Sequence, residues 1–161
     1  MSSTTPDNEV IDFGILNELI GYRLRRAQLV FFNNFALACN DLGISPGLFG
    51  VLVIVARNPG LTQTAIAQAL GNDRSAMVAA VDKLEKMDLV ERRPSQKDRR
   101  SYALYLTTHG EEYYQVIEAR VQQHEADFYD LLKDGEKEWL IDILSRLSEP
   151  RTAEVAADQE F

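Results

Sequence analysis

Apolar residues recur at intervals of three and four over most of this chain, which is the pattern of amphipathic helices. The pattern predicts a long first helix from Ile15 to about residues 41–43. A second, largely buried helix is predicted next, with Ser45 as its N-cap, Pro46 at its first position and the run 58–60 (Asn-Pro-Gly) as its stop. The first third of the chain is therefore predicted to be two helices.

Two shorter helices follow, and a tight turn joins them. Thr62 is the expected N-cap of the first, Gly71 its left-handed end, and Asp73 the cap of the second. The runs "LVERRP" and "SYALYLT" then read as two strands, closed into a hairpin by the polar loop 94–100. A helix-turn-helix followed by a hairpin predicts a winged helix.

The rest of the chain returns to helical spacing. Two helices are predicted, over residues 111–132 and 136–147, with apolar stripes that include Tyr113, Ile117, Trp139 and Leu140. The predicted fold is mainly α with a small β-hairpin wing: a winged helix-turn-helix with a helical dimerisation region. The apolar stripes of the first and last two helices exceed what a lone winged helix can cover, which predicts a dimer.

Charge is unevenly distributed along the chain. The protein has 17 basic and 25 acidic residues, yet five of the nine residues 92–100 are Lys or Arg, against the single acid Asp98. Residues 74–100 carry eight basic and five acidic side chains, whereas residues 111–161 carry five and fourteen. A solvated loop tip is the ordinary interpretation of such a run. Directly after a helix-turn-helix, it instead favours contact with DNA.

Length and composition favour one globular domain. The 161 residues suit a single core, no apolar run approaches the roughly 18 residues of a membrane span, and the N-terminus has no secretory pattern, so a cytoplasmic location is expected. The pattern predicts one domain at 13–147, with flexible ends at 1–12 and 148–161. Within it, the DNA-binding part is expected at about 45–107, between dimerisation helices at about 13–42 and 109–147.

The segment "NDRSAMVAAVDKLEKMDLVERRPSQKDRRSYALYLTTHG" resembles the recognition helix and wing of the MarR family of bacterial transcriptional regulators. The resemblance implies a homodimer with two winged lobes that bind a pseudo-palindromic double-stranded operator as a repressor. It also implies that Asp98 orients the wing arginines and that Arg100 enters the minor groove. The candidate DNA-binding residues are Arg74, Ser75, Met77, Val78, Lys83, Arg92, Lys97, Asp98, Arg99 and Arg100.

Two departures from the family pattern change the expected recognition. Ala76, Val78 and Ala79 stand where the recognition helix often has polar residues, so thymine methyl contacts and DNA shape are expected to carry more of the specificity. Asp88 stands at the position of a usual glycine, which requires it to accept a left-handed backbone conformation.

The first predicted helix also contains a candidate effector site. Arg23 and Arg26 lie on one stripe with aliphatic residues, and Tyr22 and Phe49 supply aromatic surface. Arginines beside apolar surface suit an anionic group on a flat ring, although ion pairs across a dimer would use the same residues. "GYRLRRAQ" and "SPGLFGVL" resemble the branch of the family that responds to aromatic acids, aldehydes or aromatic coenzyme A thioesters, so a small aromatic effector is predicted.

Other chemistries receive less support from the sequence. Cys39 allows redox sensing, but a buried apolar role fits a lone cysteine better. His109 and His124 lack ligand-like spacing, and no metal or cofactor is expected. Motifs for phosphate loops, zinc proteases and nucleophile elbows are absent from the sequence, which argues against an enzyme. A helical module that dimerises without binding DNA is the remaining alternative.

Overall fold

A computed structural model describes residues 11–97 and 100–149. Most of the two predicted flexible ends, together with Asp98 and Arg99 of the wing loop, lies outside these described residues. The chain divides into two compact units, one up to Val121 and one from Gln122.

Six α-helices and one hairpin make up the described chain, in the order that the pattern predicts. They are α1 (Ile20–Ala38), α2 (Pro46–Arg57), α3 (Gln63–Leu70), α4 (Arg74–Lys86), β1 (Val90–Pro94), β2 (Tyr102–Leu106), α5 (Thr108–Tyr129) and α6 (Glu136–Ser148), with 3-10 turns at Gly14–Glu18 and Asn40–Leu42. The prediction of one continuous first helix is wrong, because Leu19 has an extended conformation (φ −83°, ψ 120°) that separates the 3-10 turn from α1.

Side-chain caps set the boundaries of the helix-turn-helix. The Thr62 hydroxyl accepts a hydrogen bond from the amide of Ala65 at 3.3 Å, and the Asp73 carboxylate accepts one from Ala76 at 2.7 Å. Gly71 ends α3 in the left-handed conformation, with φ 66°. These three residues act as the sequence predicts, and together they fix where α3 stops and α4 starts.

The hairpin is antiparallel, with Val90 opposite Leu106 and Arg93 opposite Ala103. Thr62 adds one further bridge to Ala103, which attaches the start of α3 to the wing. The core below contains aliphatic side chains from each helix of the winged fold: Leu52, Val55, Ile66, Met77, Val81, Leu84, Leu89 and Leu104 are among its buried members. The hairpin is thereby anchored to α2, α3 and α4, and the winged helix-turn-helix is confirmed.

A tight backbone joint connects the end of α4 to the start of α5. Asp88 has φ 57°, the left-handed conformation expected of it, and its carbonyl accepts a 2.5 Å hydrogen bond from the Thr107 hydroxyl. The same hydroxyl oxygen accepts from the amide of Gly110 at 2.9 Å. A Cβ atom placed on Gly110 would lie 1.9 Å from the carbonyl oxygen of Leu89. Only glycine permits this approach of α5 to the wing base.

Large apolar side chains are exposed along α1 of the first unit and along α6 of the second. On α1 they include Ile20, Leu24, Leu29, Val30 and Leu37; on α6 they are Trp139, Leu140, Ile141, Leu144 and Leu147. Apolar surface of this extent on single helices is typical of faces that another protein surface covers. No helix in the described ranges has the length and apolarity to cross a membrane.

Candidate nucleic-acid interface and effector site

The first turns of α4 expose a mixed polar and apolar surface. Arg74, Ser75 and Ala76 are exposed, and Val78 is 39% exposed one turn further on. The N-terminal end of the second helix of a helix-turn-helix is the part that contacts base edges in the major groove. Lys83 is exposed near the end of the same helix.

Met77 does not belong to this surface, so its assignment to DNA contact is wrong. Its side chain has no solvent exposure and packs in the core with Val81 and Leu84. Residues 77, 81 and 84 follow the spacing of four and three that defines the inner face of a helix. This spacing can be seen in the sequence, and it is sufficient to predict that Met77 is buried in the core.

Arg92 also has a different role from the DNA contact that the sequence suggests. Its guanidinium forms an ion pair with Glu85, a second with Asp82 at 2.8 Å, and a hydrogen bond to the Gln63 side-chain oxygen at 3.1 Å. The Arg92 side chain is only 20% exposed. One guanidinium therefore connects α3, α4 and β1, and both of its terminal nitrogens bond within the protein.

The wing tip presents the remaining basic residues. Lys97 and Arg100 are exposed on either side of the two residues outside the described ranges. Tyr102, 57% exposed at the start of β2 and two residues after Arg100 in the chain, is a further candidate for contact with DNA that the sequence prediction did not include. An aromatic residue directly after a basic loop was the available signal.

The predicted effector residues of α1 are partly brought together. The Arg26 guanidinium lies 3.4 Å from the Tyr22 hydroxyl, and the Tyr22 ring centroid lies 6.3 Å from that of Phe13. Arg23 instead turns back, and its Nε donates to the Asn17 carbonyl at 2.9 Å. Neither arginine has an acidic partner within residues 11–97 and 100–149.

Phe49 belongs to α2 and packs near the C-terminal end of α1. Its ring centroid is 6.0 Å from that of Phe35, and the two pack at the edge of the core. Nine residues separate Phe35 from Arg26, which corresponds to about 14 Å along the axis of an α-helix. A single small ring cannot contact Arg26 and Phe49 together, whereas an elongated ligand can.

Cys39 is buried, with 1% exposure, at the end of α1. Burial raises the pKa of its thiol, although the charge of Arg120 acts in the opposite direction. Because the thiolate is the reactive form, a raised pKa disfavours oxidation and favours the packing role. Among the described residues, no group of three His, Cys, Asp or Glu side chains is placed to hold a metal ion.

Sequence comparisons connect this geometry to known proteins. The model of the MarR family matches residues 42–101, which extend from the end of the 3-10 turn before α2 to the wing. A Thauera aromatica protein, whose name assigns it to regulation of the hcr operon, is 40% identical over 140 residues, which is 86% of this chain and 84% of that protein.

Solved structures of similar fold include two of the transcriptional repressor CouR. CouR bound to a 23-mer DNA duplex has 35% sequence identity and a TM-score of 0.82, over 87% of this chain and 99% of CouR. CouR bound to p-coumaroyl-CoA has 33% identity and a TM-score of 0.80, over the same shares of the two chains. The likeness therefore extends from the winged lobe into the helices on both sides of it.

Proposed function

The chain belongs to the MarR family of DNA-binding transcriptional regulators, and on that premise we propose that it represses transcription from a pseudo-palindromic operator until a small aromatic effector releases it. Two exposed features of one winged helix-turn-helix carry the DNA part of this proposal: the start of α4 and the basic residues of the wing tip. Arg74, Ser75 and Val78 would lie in the major groove, Lys83 near the backbone, and Arg100 with Lys97 at the minor groove. The predicted contributions of Asp98 and Arg99 remain part of the proposal.

The working form is a homodimer. The apolar faces of α1 and α6 supply the surface for it, in the helices assigned to dimerisation at about 13–42 and 109–147. Two recognition helices must lie about 34 Å apart to enter successive major grooves, and one lobe cannot provide this spacing. The protein acts in the cytoplasm, without a cofactor and without catalysing a reaction.

Arg100→Ala tests the DNA contact of the wing. We expect operator affinity to fall about tenfold at physiological salt and the slope of log affinity against log salt to decrease by about one, because a side chain at a phosphate-lined groove releases counterions. Gel-shift or anisotropy titrations at several salt concentrations measure both quantities, and sedimentation checks that the dimer persists. An unchanged affinity and slope would exclude Arg100 from the interface.

An aromatic coenzyme A thioester is the effector that suits the α1 site best. The Arg26 guanidinium and Tyr22 supply an anion site near one end of α1, and the Phe35–Phe49 pair supplies aromatic packing about 14 Å further along the helix. A thioester has an anionic end and an aromatic end at this kind of separation. CouR, similar over most of this chain, has been solved with p-coumaroyl-CoA. A free aromatic acid or aldehyde would use one end of the site only.

Release requires the effector to favour one arrangement of the two lobes. A ligand shifts a conformational equilibrium only by its difference in affinity for the two states, and a tenfold loss of operator affinity needs about 1.4 kcal/mol of such difference. The required change is a spacing of the recognition helices that no longer matches successive major grooves. The redox alternative would need an oxidant to reach Cys39, and this thiol is buried.

Arg26→Ala tests the effector site, with p-coumaroyl-CoA as the probe. We expect calorimetry to show a dissociation constant raised about tenfold, because the variant cannot form the charge-assisted hydrogen bond. Operator binding without the probe should stay at the wild-type level. Arg25→Ala, which removes the neighbouring exposed charge on α1, is the matched control and should bind the probe normally. Equal dissociation constants for the two variants would place the effector elsewhere.

A further inference from the structure

An open groove of about 550 Å³ lies between the C-terminal end of α2, the hairpin and the first turns of α5. Glu111, Tyr114 and Glu118 line it from one face of α5, since residues three and four apart are neighbours on a helix. The hairpin contributes Arg93 and Tyr105. The groove contains none of the residues assigned above to DNA or to the α1 effector site, and its volume lies in the range of small-molecule sites.

Two phenol rings of the groove are held in place. The Tyr105 hydroxyl lies beside Gly60, where a Cβ atom would be 2.9 Å away, and the Arg93 guanidinium lies 4.4 Å from the centre of the Tyr105 ring. The Tyr114 hydroxyl donates a 2.7 Å hydrogen bond to Glu118. Burial, and then this bond, raise the pKa of Tyr114, so the phenol remains protonated. The groove therefore offers aromatic surface of fixed orientation.

The groove also contains one cation and one carboxylate that are not engaged elsewhere. Arg93 is paired with Glu91, and Glu118 is used by Tyr114. By contrast, the side chains of Arg57, in the last turn of α2, and Glu111, in the first turn of α5, form no ion pair or hydrogen bond with the residues that the structure describes. Opposite charges of this kind on two walls are complementary to a ligand that carries both.

We propose that this groove binds a zwitterionic aromatic compound of the class of the aromatic α-amino acids. The ligand carboxylate pairs with Arg57, because a guanidinium can form two parallel hydrogen bonds to a carboxylate. The ammonium group of the ligand pairs with Glu111. The ligand ring packs against Tyr105 and Tyr114, where aromatic surfaces attract one another beyond their area alone. This site is separate from the α1 effector site, and the two proposals stand independently.

Calorimetry on the full chain tests the proposal with three probes: L-phenylalanine, 3-phenylpropionate, which lacks the ammonium group, and 2-phenylethylamine, which lacks the carboxylate. We expect L-phenylalanine to bind at least about tenfold more tightly than either analogue, because removing one of the two ion pairs costs about that much affinity. Arg57→Gln should weaken L-phenylalanine binding about tenfold while leaving 2-phenylethylamine unaffected. Glu111→Gln should weaken L-phenylalanine equally and leave 3-phenylpropionate unaffected.

Arg25→Gln, on the exposed surface of α1, is the control and should bind L-phenylalanine as the wild type does. Operator titration of the Arg57→Gln protein shows that it is folded, so a loss of amino-acid binding is distinguished from a failure of the regulator itself. Absence of L-phenylalanine binding to the wild type at millimolar concentration would overturn the proposal. Equal binding of the three probes, or an unchanged affinity in Arg57→Gln, would overturn it as well.

Discussion

Gly110→Ala is expected to lower the free energy of unfolding by at least about 2 kcal/mol. This value lies in the upper part of the range of about 1 to 3 kcal/mol that an added carbon atom costs in a packed core. The new Cβ atom would lie 1.9 Å from the Leu89 carbonyl oxygen and 2.8 Å from its carbonyl carbon. Both atoms belong to backbone that is tied to Thr107, whose amide donates to the same Leu89 oxygen at 3.1 Å. The joint can accept the methyl group only by separating α5 from the wing base.

Denaturant unfolding of the full chain, followed by circular dichroism at fixed protein concentration, measures this change. Gly47→Ala is the matched control, because Gly47 is also in a helix and a Cβ atom there meets nothing within 4 Å. That variant should be unchanged or more stable by up to about 1 kcal/mol, since alanine favours helix. If Gly110→Ala unfolded with the same free energy as Gly47→Ala, the close approach of α5 to Leu89 would be wrong.

Arg92→Ala should reduce operator affinity at least about tenfold without changing the salt dependence of binding. The guanidinium joins Asp82, Glu85 and Gln63, so its removal loosens the attachment of the wing to α3 and α4 and leaves two carboxylates without their cation. Affinity falls because the wing is no longer held at the angle that binding requires. The salt slope stays constant because no phosphate contact is removed.

The salt slope is the readout that separates the two possible roles of Arg92. A slope reduced by about one would mean that Arg92 contacts a phosphate, as the sequence alone suggests. Arg92→Lys should not restore affinity, since one ammonium group cannot reach three acceptors on two helices. Arg93→Ala is the neighbouring control, because among the described residues Arg93 pairs with Glu91 of its own strand and stacks on Tyr105. The affinity of this variant for the operator should be near that of the wild type.

Features encoded in short stretches of sequence were predicted well. Thr62, Asp73 and Gly71 cap their helices as predicted, because capping depends on a residue and on atoms three or four positions away. Asp88 adopts the left-handed conformation that its place at a usual glycine of the family pattern requires. The order of helices and hairpin followed from these signals and from the apolar spacing.

Features that depend on distant contacts were not predictable from one sequence. The partners of Arg92 lie 7, 10 and 29 positions away, and an arginine in a basic run has the same appearance whether it points to a phosphate or to a carboxylate. Phe49 was predicted to supply aromatic surface for the site that contains Arg26, but its packing against Phe35 depends on how α2 packs against α1. Met77 differs from these, since the helical period alone was enough to place it inside.

The exposed apolar face of α1 has a consequence for how the regulator responds to its own abundance. If burial of that face completes the fold, monomers at low copy number are both unable to span an operator and less stable against proteolysis. Operator occupancy then rises more steeply than in proportion to the number of chains made. A twofold change in the synthesis rate of the regulator would therefore change operator occupancy by more than twofold. Below a threshold concentration of the regulator, the operator would be largely unoccupied.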